Sequence, residues 1–395
     1  MERGHQVREI GPTASQGRRG WLGEATGGGQ ASLRDSSFRL DGLGHGVDLS
    51  AQKIAARVLP HYAGLEGAAV APLGSGLINQ TFLVSRGEDR FVLQRLHPIF
   101  SADINSNINA VTRRLAELGQ ITPLLVPTRD GRLSVVLGDE VWRLQTFVEG
   151  VSFDVVQSPG QAWAAGDLVA RFHRALDQID HQFVGMRAGV HDTPQHLARL
   201  EQAMAESSGH RLHTQVADLA HELLTAASDL PVLPGLPGRV CHGDLKLSNI
   251  VFAGSTPPAS EQALCLIDLD TVGPMALGHE LGDAWRSWCN RSPEEAEIAK
   301  FDMEIFRASW EGYRDSLGRP LTLDERRACL HGVEWISLEL AVRFATDALR
   351  ETYFGWASHR YPGRGEHNLA RARGQWALHQ AVCATREERA RLLGI

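Results

Sequence analysis

Around Gly150 the spacing of apolar residues changes, and this switch limits what the chain can fold into more than any other feature. Before it, VAPLGSG, INQTFLVS, RFVLQRL, GRLSVVLGD and EVWRLQTFVEG are short runs rich in β-branched and aromatic residues, separated by Gly-containing breaks. Such runs predict strands, and the helical spacing of INSNINAVTRRLAELGQ among them predicts one helix. Beyond Gly150, QAWAAGDLVARFHRALDQI, HTQVADLAHELLTAA and ERRACLHGVEWISLELAVRFATDALR carry apolar residues three and four apart, the period of amphipathic helices. The expected architecture is α+β and bilobal, with a small five-stranded antiparallel N-lobe at 47–150 and a larger, mainly helical C-lobe at 151–395. Residues 1–46, rich in Gly, Ser and Arg, are expected to form a disordered extension.

One stretch interrupts the helical part. RVCHGDLKLSNIVF and ALCLIDLDTV are β-rich and flank GSTPPASEQ, a loop whose two prolines forbid a continuous helix. A hairpin inside the helical lobe is the expectation. HGDLKLSN can be read as an ordinary polar turn, since Asp, Gly, Ser and Asn all favour turns. It can equally be read as chemistry.

Composition narrows the second reading. With 395 residues, 43% of them hydrophobic, the chain can bury a sizeable core, while a formal net charge of −7 offers no basic field for a phosphate backbone. Nucleic acid is therefore not an expected partner. The five cysteines stand singly, without CxxC spacing, and no apolar run approaches the eighteen or so residues of a membrane span. A cytoplasmic protein without disulfides, zinc or membrane anchoring is expected. GxSxG, HExxH and GxxxxGK[ST] are all absent, which argues against a serine hydrolase elbow, a zincin and a P-loop NTPase.

Phosphoryl transfer from ATP needs a base for the acceptor hydroxyl, ligands for Mg²⁺ and backbone amides over the phosphates. Asp244 can accept the hydroxyl proton and Lys246 can face the transferring group. Asn249, five residues after Asp244, and Asp268 on the returning strand can share a magnesium ion, and His242 can brace the loop. GSGLIN, with Gly74, Ser75, Gly76 and Asn79, lies between the first two strands, where a phosphate loop belongs, although Gly-Ser-Gly is also a common turn. The strand VLQRL lacks the Lys that contacts phosphates in protein kinases; Gln94 or Arg95 stands in its place, depending on register.

With these motifs placed, the chain resembles the aminoglycoside phosphotransferase and choline kinase superfamily. The carrying residues are GSGLINQTFLV, FVLQRLH, WRLQTFVEG, HGDLKLSN, IDLDTV with GDAWRSW, and ATDALRETYF followed by YP and HNLARARGQ. Within the superfamily the LQR strand, IDLDTV and the tail look most like the N-acetylhexosamine 1-kinase group, which phosphorylates the anomeric hydroxyl of N-acetylglucosamine and N-acetylgalactosamine. The resemblance implies a protein-kinase-like fold with ATP in the cleft and WRLQTFVEG as hinge, the Thr146 and Val148 backbones meeting adenine. It implies Asp244 as base, Asn249 and Asp268 as magnesium ligands, and Arg343 and Tyr353 as sugar contacts. It also implies that Asp283 stabilises the catalytic loop. A free sugar is the expected substrate. The near alternative is an aminoglycoside, choline or homoserine-type acceptor, for which Glu334, Glu339 and Asp347 are the acidic candidates; a nucleotide-binding protein without transfer activity is the more distant one.

Overall fold

In the computed structural model, the described residues are 49–73, 79–186 and 189–395. The expected extension at 1–46 and the glycines of GSGLIN lie outside them. The N-terminal sheet contains β1 (Ala69–Pro72), β2 (Gln80–Arg86), β3 (Asp89–Arg95), β4 (Val135–Leu137) and β5 (Glu140–Thr146), in the order β1-β2-β3-β5-β4 with every pair antiparallel. α1 (Leu49–Val58) precedes the sheet and α2 (Ile104–Glu117) is inserted after β3. Strand alternation sends Phe82, Val84, Leu93, Trp142 and Leu144 to one face, where they bury against Val58, Leu59 and Tyr62. The opposite face carries Thr81, Gln94 and Arg143 in register across three strands. This polar file is the wall that the sheet turns toward the cleft.

The C-lobe is built from α3 (Pro159–Leu176), α4 (Thr193–Glu206), α5 (His213–Asp229), α6 (Leu277–Trp288), α7 (Met303–Ser316), α8 (Leu323–Arg350), α9 (Arg364–Ala384) and α10 (Arg386–Leu393). Four short strands interrupt them: β6 (Arg239–Cys241), β7 (Ile250–Phe252), β8 (Ala263–Leu266) and β9 (Gly273–Met275). The expected hairpin is β7–β8, but the two β-rich runs also form a second ribbon, β6–β9. The catalytic-loop sequence leaves β6 and enters β7, so both of its ends are held by different ribbons.

α8 runs 28 residues from a capping box, in which Thr322 and Glu325 satisfy each other's backbone N–H groups. It packs closely on α6 because Gly278 and Gly332 face each other, and a Cβ on Gly332 would run into the Gly278 carbonyl. Glu334, fully buried in α8, pairs with Arg386, Arg389 and His331. Burial opposes its charge, yet these partners prevail and lower its pKa from 4.5 to about 2. A depressed carboxyl stabilises the fold above its unfolded pKa, and that contribution is lost as pH falls through the folded value, here between about 4.5 and 2. The shift corresponds to about 3 kcal/mol. Glu334→Gln is therefore expected to lower stability at neutral pH by about that amount and to flatten the acid limb between pH 4.5 and 2, as read from urea midpoints at a series of pH values.

Candidate active site

The loop after β6 is shaped before any ligand arrives. Gly243 has φ +84°, and a Cβ there would lie 2.9 Å from the Thr271 carbonyl, so the second position of HGD requires glycine. His242 accepts at Nδ1 from the Asp244 N–H (3.2 Å) and donates from Nε2 to the Ile267 carbonyl (2.8 Å), which assigns the neutral Nε2–H tautomer. The expected bracing role of His242 has this physical form: it ties the loop to the segment that follows β8 and carries Asp268.

A second brace was invisible in the sequence. Glu280, wholly buried in the first turn of α6, accepts from the backbone N–H groups of His242 (2.8 Å) and Gly243 (2.9 Å). His173 of α3 donates to the same carboxylate at 3.3 Å, and the Tyr313 hydroxyl of α7 donates to His173 Nδ1 at 2.9 Å. Burial favours neutral His173 and works against the Glu280 charge, but the hydrogen bonds to Glu280 outweigh it and lower the carboxyl pKa. Potential ligand atoms of His173, Cys241 and Glu280 converge within 4.8 Å. His173 and Glu280 are committed to this brace, and burial raises the Cys241 thiol pKa well above its usual value, so the cluster suits scaffolding rather than metal binding.

At the front of the loop, Asp244 Oδ2 accepts from Lys246 Nζ (2.8 Å) and Asn249 Nδ2 (3.1 Å). Asn249 also donates to the Asp244 carbonyl (2.9 Å), so its Oδ1 is the atom it can offer a cation. Lys246 Nζ lies 3.9 Å from Asp268 Oδ2, which brings Asp244, Lys246, Asn249 and Asp268 into one cluster. Burial disfavours the lysine charge, but Asp244 and Asp268 overcome it and raise the Lys246 pKa. Asp268 stands in the left-handed region at φ +63°, an unusual place for a non-glycine residue and a common mark of functional sites. Its enclosed position, followed by the nearby Asp270 and Asp244, pushes its carboxyl up to about 6. The Asn249 Oδ1 and the Asp268 carboxylate, with Asp244 beside them, are hard oxygen donors that fit a hard divalent cation, which would relieve the repulsion between the two aspartates.

The N-lobe side corrects one expectation. Arg95 shares the sheet face of Leu93, and its side chain pairs with Glu140 at 2.7 Å, beside Arg57 of α1. Period-two alternation thus points it away from the polar file, and Gln94 is the residue on the cleft face. The Thr146 N–H donates to the Leu124 carbonyl at 2.8 Å and its Oγ1 accepts from the Leu124 N–H at 2.9 Å, so its carbonyl is the backbone group these contacts leave over. Val148 follows β5 on the linker between the lobes. Asn79 is buried, accepts from the His97 N–H at 2.9 Å and donates to Asp270 Oδ2, which makes it a strut between the lobes. Gly74, Ser75 and Gly76 lie outside the described residues.

The far end of the C-lobe is organised by α8. Arg343 lies over the Phe354 ring at 5.5 Å and Tyr353 packs edge-on to that ring at 4.7 Å, so the two expected substrate contacts flank one aromatic side chain. Asp347 accepts from the backbone N–H groups of Thr352, Tyr353 and Phe354 (2.8–2.9 Å) and from Asn368 Nδ2 (2.8 Å), fixing this turn. Glu339 accepts from Thr193 Oγ1 (2.7 Å) and faces His191 (3.2 Å) and Arg343 (3.9 Å). Burial opposes its charge, but the contacts with His191 and Thr193, with His196 nearby, prevail and lower its carboxyl pKa to about 2. Asp283 is bound to Arg286 at 2.7 Å; the loop itself is held instead by Ser287 and Trp288, which bond the Leu247 N–H and the Leu245 carbonyl.

A five-stranded antiparallel lobe over a helical lobe, with this loop between them, defines a kinase-like phosphotransferase. Residues 69–315 match the phosphotransferase enzyme family, and the chain belongs to that family. Its fold is similar to that of a microcompartment-associated aminopropanol kinase (19% identity, TM-score 0.56, covering 85% of this chain and 98% of that one). It is also similar to an aminoglycoside phosphotransferase from Alicyclobacillus acidocaldarius (17%, 0.53, 84% and 96%). A third similar structure is a spectinomycin phosphotransferase in complex with ADP and spectinomycin (11%, 0.52, 86% and 98%). Among the described residues no helix is long and apolar enough to cross a membrane.

Proposed function

We propose that the protein is an ATP- and Mg²⁺-dependent kinase of a free, uncharged sugar, acting on the anomeric hydroxyl of an N-acetylhexosamine. The observation that carries the acceptor class is the engagement of the three candidate acids. Glu334 is neutralised by two arginines, Glu339 is held by Thr193, His191 and Arg343, and Asp347 is spent on a backbone turn. A protonated primary amine is best held by an uncompensated carboxylate, whereas a sugar needs hydrogen-bonding groups beside an aromatic face. Arg343 and Tyr353 around Phe354 meet that need.

In this reading Asp244 takes the acceptor proton as the acceptor oxygen forms its bond to the γ-phosphorus and the bond to the ADP oxygen breaks. Its Oδ2 already accepts from Lys246 and Asn249, which leaves Oδ1 for the hydroxyl. Lys246 faces the charge on the transferring group, and catalysis is chiefly positioning and electrostatic stabilisation. Asn249 Oδ1 and Asp268 would hold Mg²⁺, which supplies charge neutralisation at the phosphates. The Thr146 carbonyl and the Val148 backbone are the hinge groups assigned to adenine.

The test is turnover with Mg-ATP across hexoses, N-acetylhexosamines, amino alcohols and aminoglycosides, followed by phosphorus NMR of the best product. An anomeric sugar phosphate is expected. Turnover of an amino alcohol or aminoglycoside with none for any sugar would sink the acceptor assignment and leave the kinase reading standing.

A further inference from the structure

The N-lobe presents no strand lysine, yet its cleft face carries a fully buried cation. Arg143 on β5 is opposite Gln94 on β3, and its Nε and Nη2 both donate to Gln94 Oε1, at 2.9 and 2.6 Å. Gln94 in turn donates to Thr81 on β2 at 3.3 Å, so a side-chain ladder across three strands fixes the guanidinium. The remaining nitrogen, Nη1, pairs with Asp270 Oδ1 of the C-lobe; the arginine side chain is 1% exposed and the aspartate 4%. Asp270 Oδ2 accepts from Asn79 Nδ2, and Asn79 is the last residue of GSGLIN. Asp270 also stands two residues beyond Asp268, whose backbone is left-handed.

We propose that Arg143, oriented by Gln94, is the positioning cation of the nucleotide site. Through Asp270 it holds the segment of Asp268 on one side and Asn79 on the other, in a sheet that lacks the strand lysine. The inference rests on the reading of the cleft as an ATP site, but it assigns a residue that motif comparison passes over, because the cation comes from the neighbouring strand. Arg143 does not touch the phosphates in this scheme. It acts by joining the sheet to the metal-facing segment with a buried ion pair.

A merely structural pair and a positioning pair respond differently to simultaneous neutralisation. Removing one member of a buried ion pair leaves an unpaired charge and destabilises the fold, whereas replacing both by residues of similar volume is often neutral. R143M alone is thus expected to lose stability, while R143M/D270N should unfold in urea close to the wild-type midpoint. By titration calorimetry with MgATP, the double variant is expected to bind at least about tenfold more weakly than wild type. Its KM for the sugar selected by the panel should stay within about twofold. MgATP binding by the folded double variant equal to that of wild type would overturn the proposal, as would an equal rise in both KM values. If wild-type protein failed to bind MgATP, the nucleotide reading itself would fall, a result distinct from either.

Discussion

Asp244→Asn is expected to reduce kcat by about 10²- to 10⁴-fold, the range associated with a positioned general base, while MgATP affinity changes by no more than about twofold. The substitution preserves shape, and the loop around it is held by Glu280, His242 and Trp288 rather than by the Asp244 carboxylate alone. Lys246 loses a close counter-charge but retains Asp268 nearby. The measurement is single-turnover transfer alongside calorimetric nucleotide binding. Full transfer activity in the variant would instead assign Asp244 to scaffolding, and a parallel loss of MgATP binding would mean that the substitution had disturbed the nucleotide site.

Glu280→Gln is the second large effect. The native carboxylate accepts two backbone N–H groups and an imidazole N–H, all in a site closed to water. A glutamine has one acceptor oxygen, and its amide nitrogen would face an N–H donor, leaving buried groups unsatisfied. A loss of about 3–5 kcal/mol is expected, the range for breaking a buried charged network, measured by equilibrium urea unfolding. Transfer should fall as well, because the backbone of His242 and Gly243 sets where Asp244 stands. Unchanged stability would show that the carboxylate contributes no net energy to the brace.

How much of this was legible in the sequence follows from how far apart the interacting residues lie. Asp244 and Asn249 share one loop, Asp268 lies just past the returning hairpin strand, and local spacing was enough to bring them together. The five strands were legible from their composition and breaks, and the long helices from their period. The Glu280 brace was not, because its partners lie 38 residues away at His242 and 107 away at His173, and a lone His-Glu pair at a helix start gives no signal of what it accepts. The Arg95 assignment failed for a different reason. VLQRL shows alternation but not which alternate faces the cleft, and only pairing with β5 resolves the register in favour of Gln94. The same pairing exposed Arg143, which WRLQT presents as one more charged residue in a strand.

α8 has a consequence for how substrate preference can change over evolution. One helix carries Glu334, Glu339 and Asp347, and each is silenced by partners on other elements or at neighbouring turns rather than by its own absence. Losing a positively charged partner changes the local net charge by one unit without touching the carboxylate or the helix. For Glu339 such a change is within reach at Arg343, a partly exposed side chain on the same helix. If the proposed sugar reading holds, a shift of the acceptor toward amines would need only the loss of a cation beside α8, not a new carboxylate.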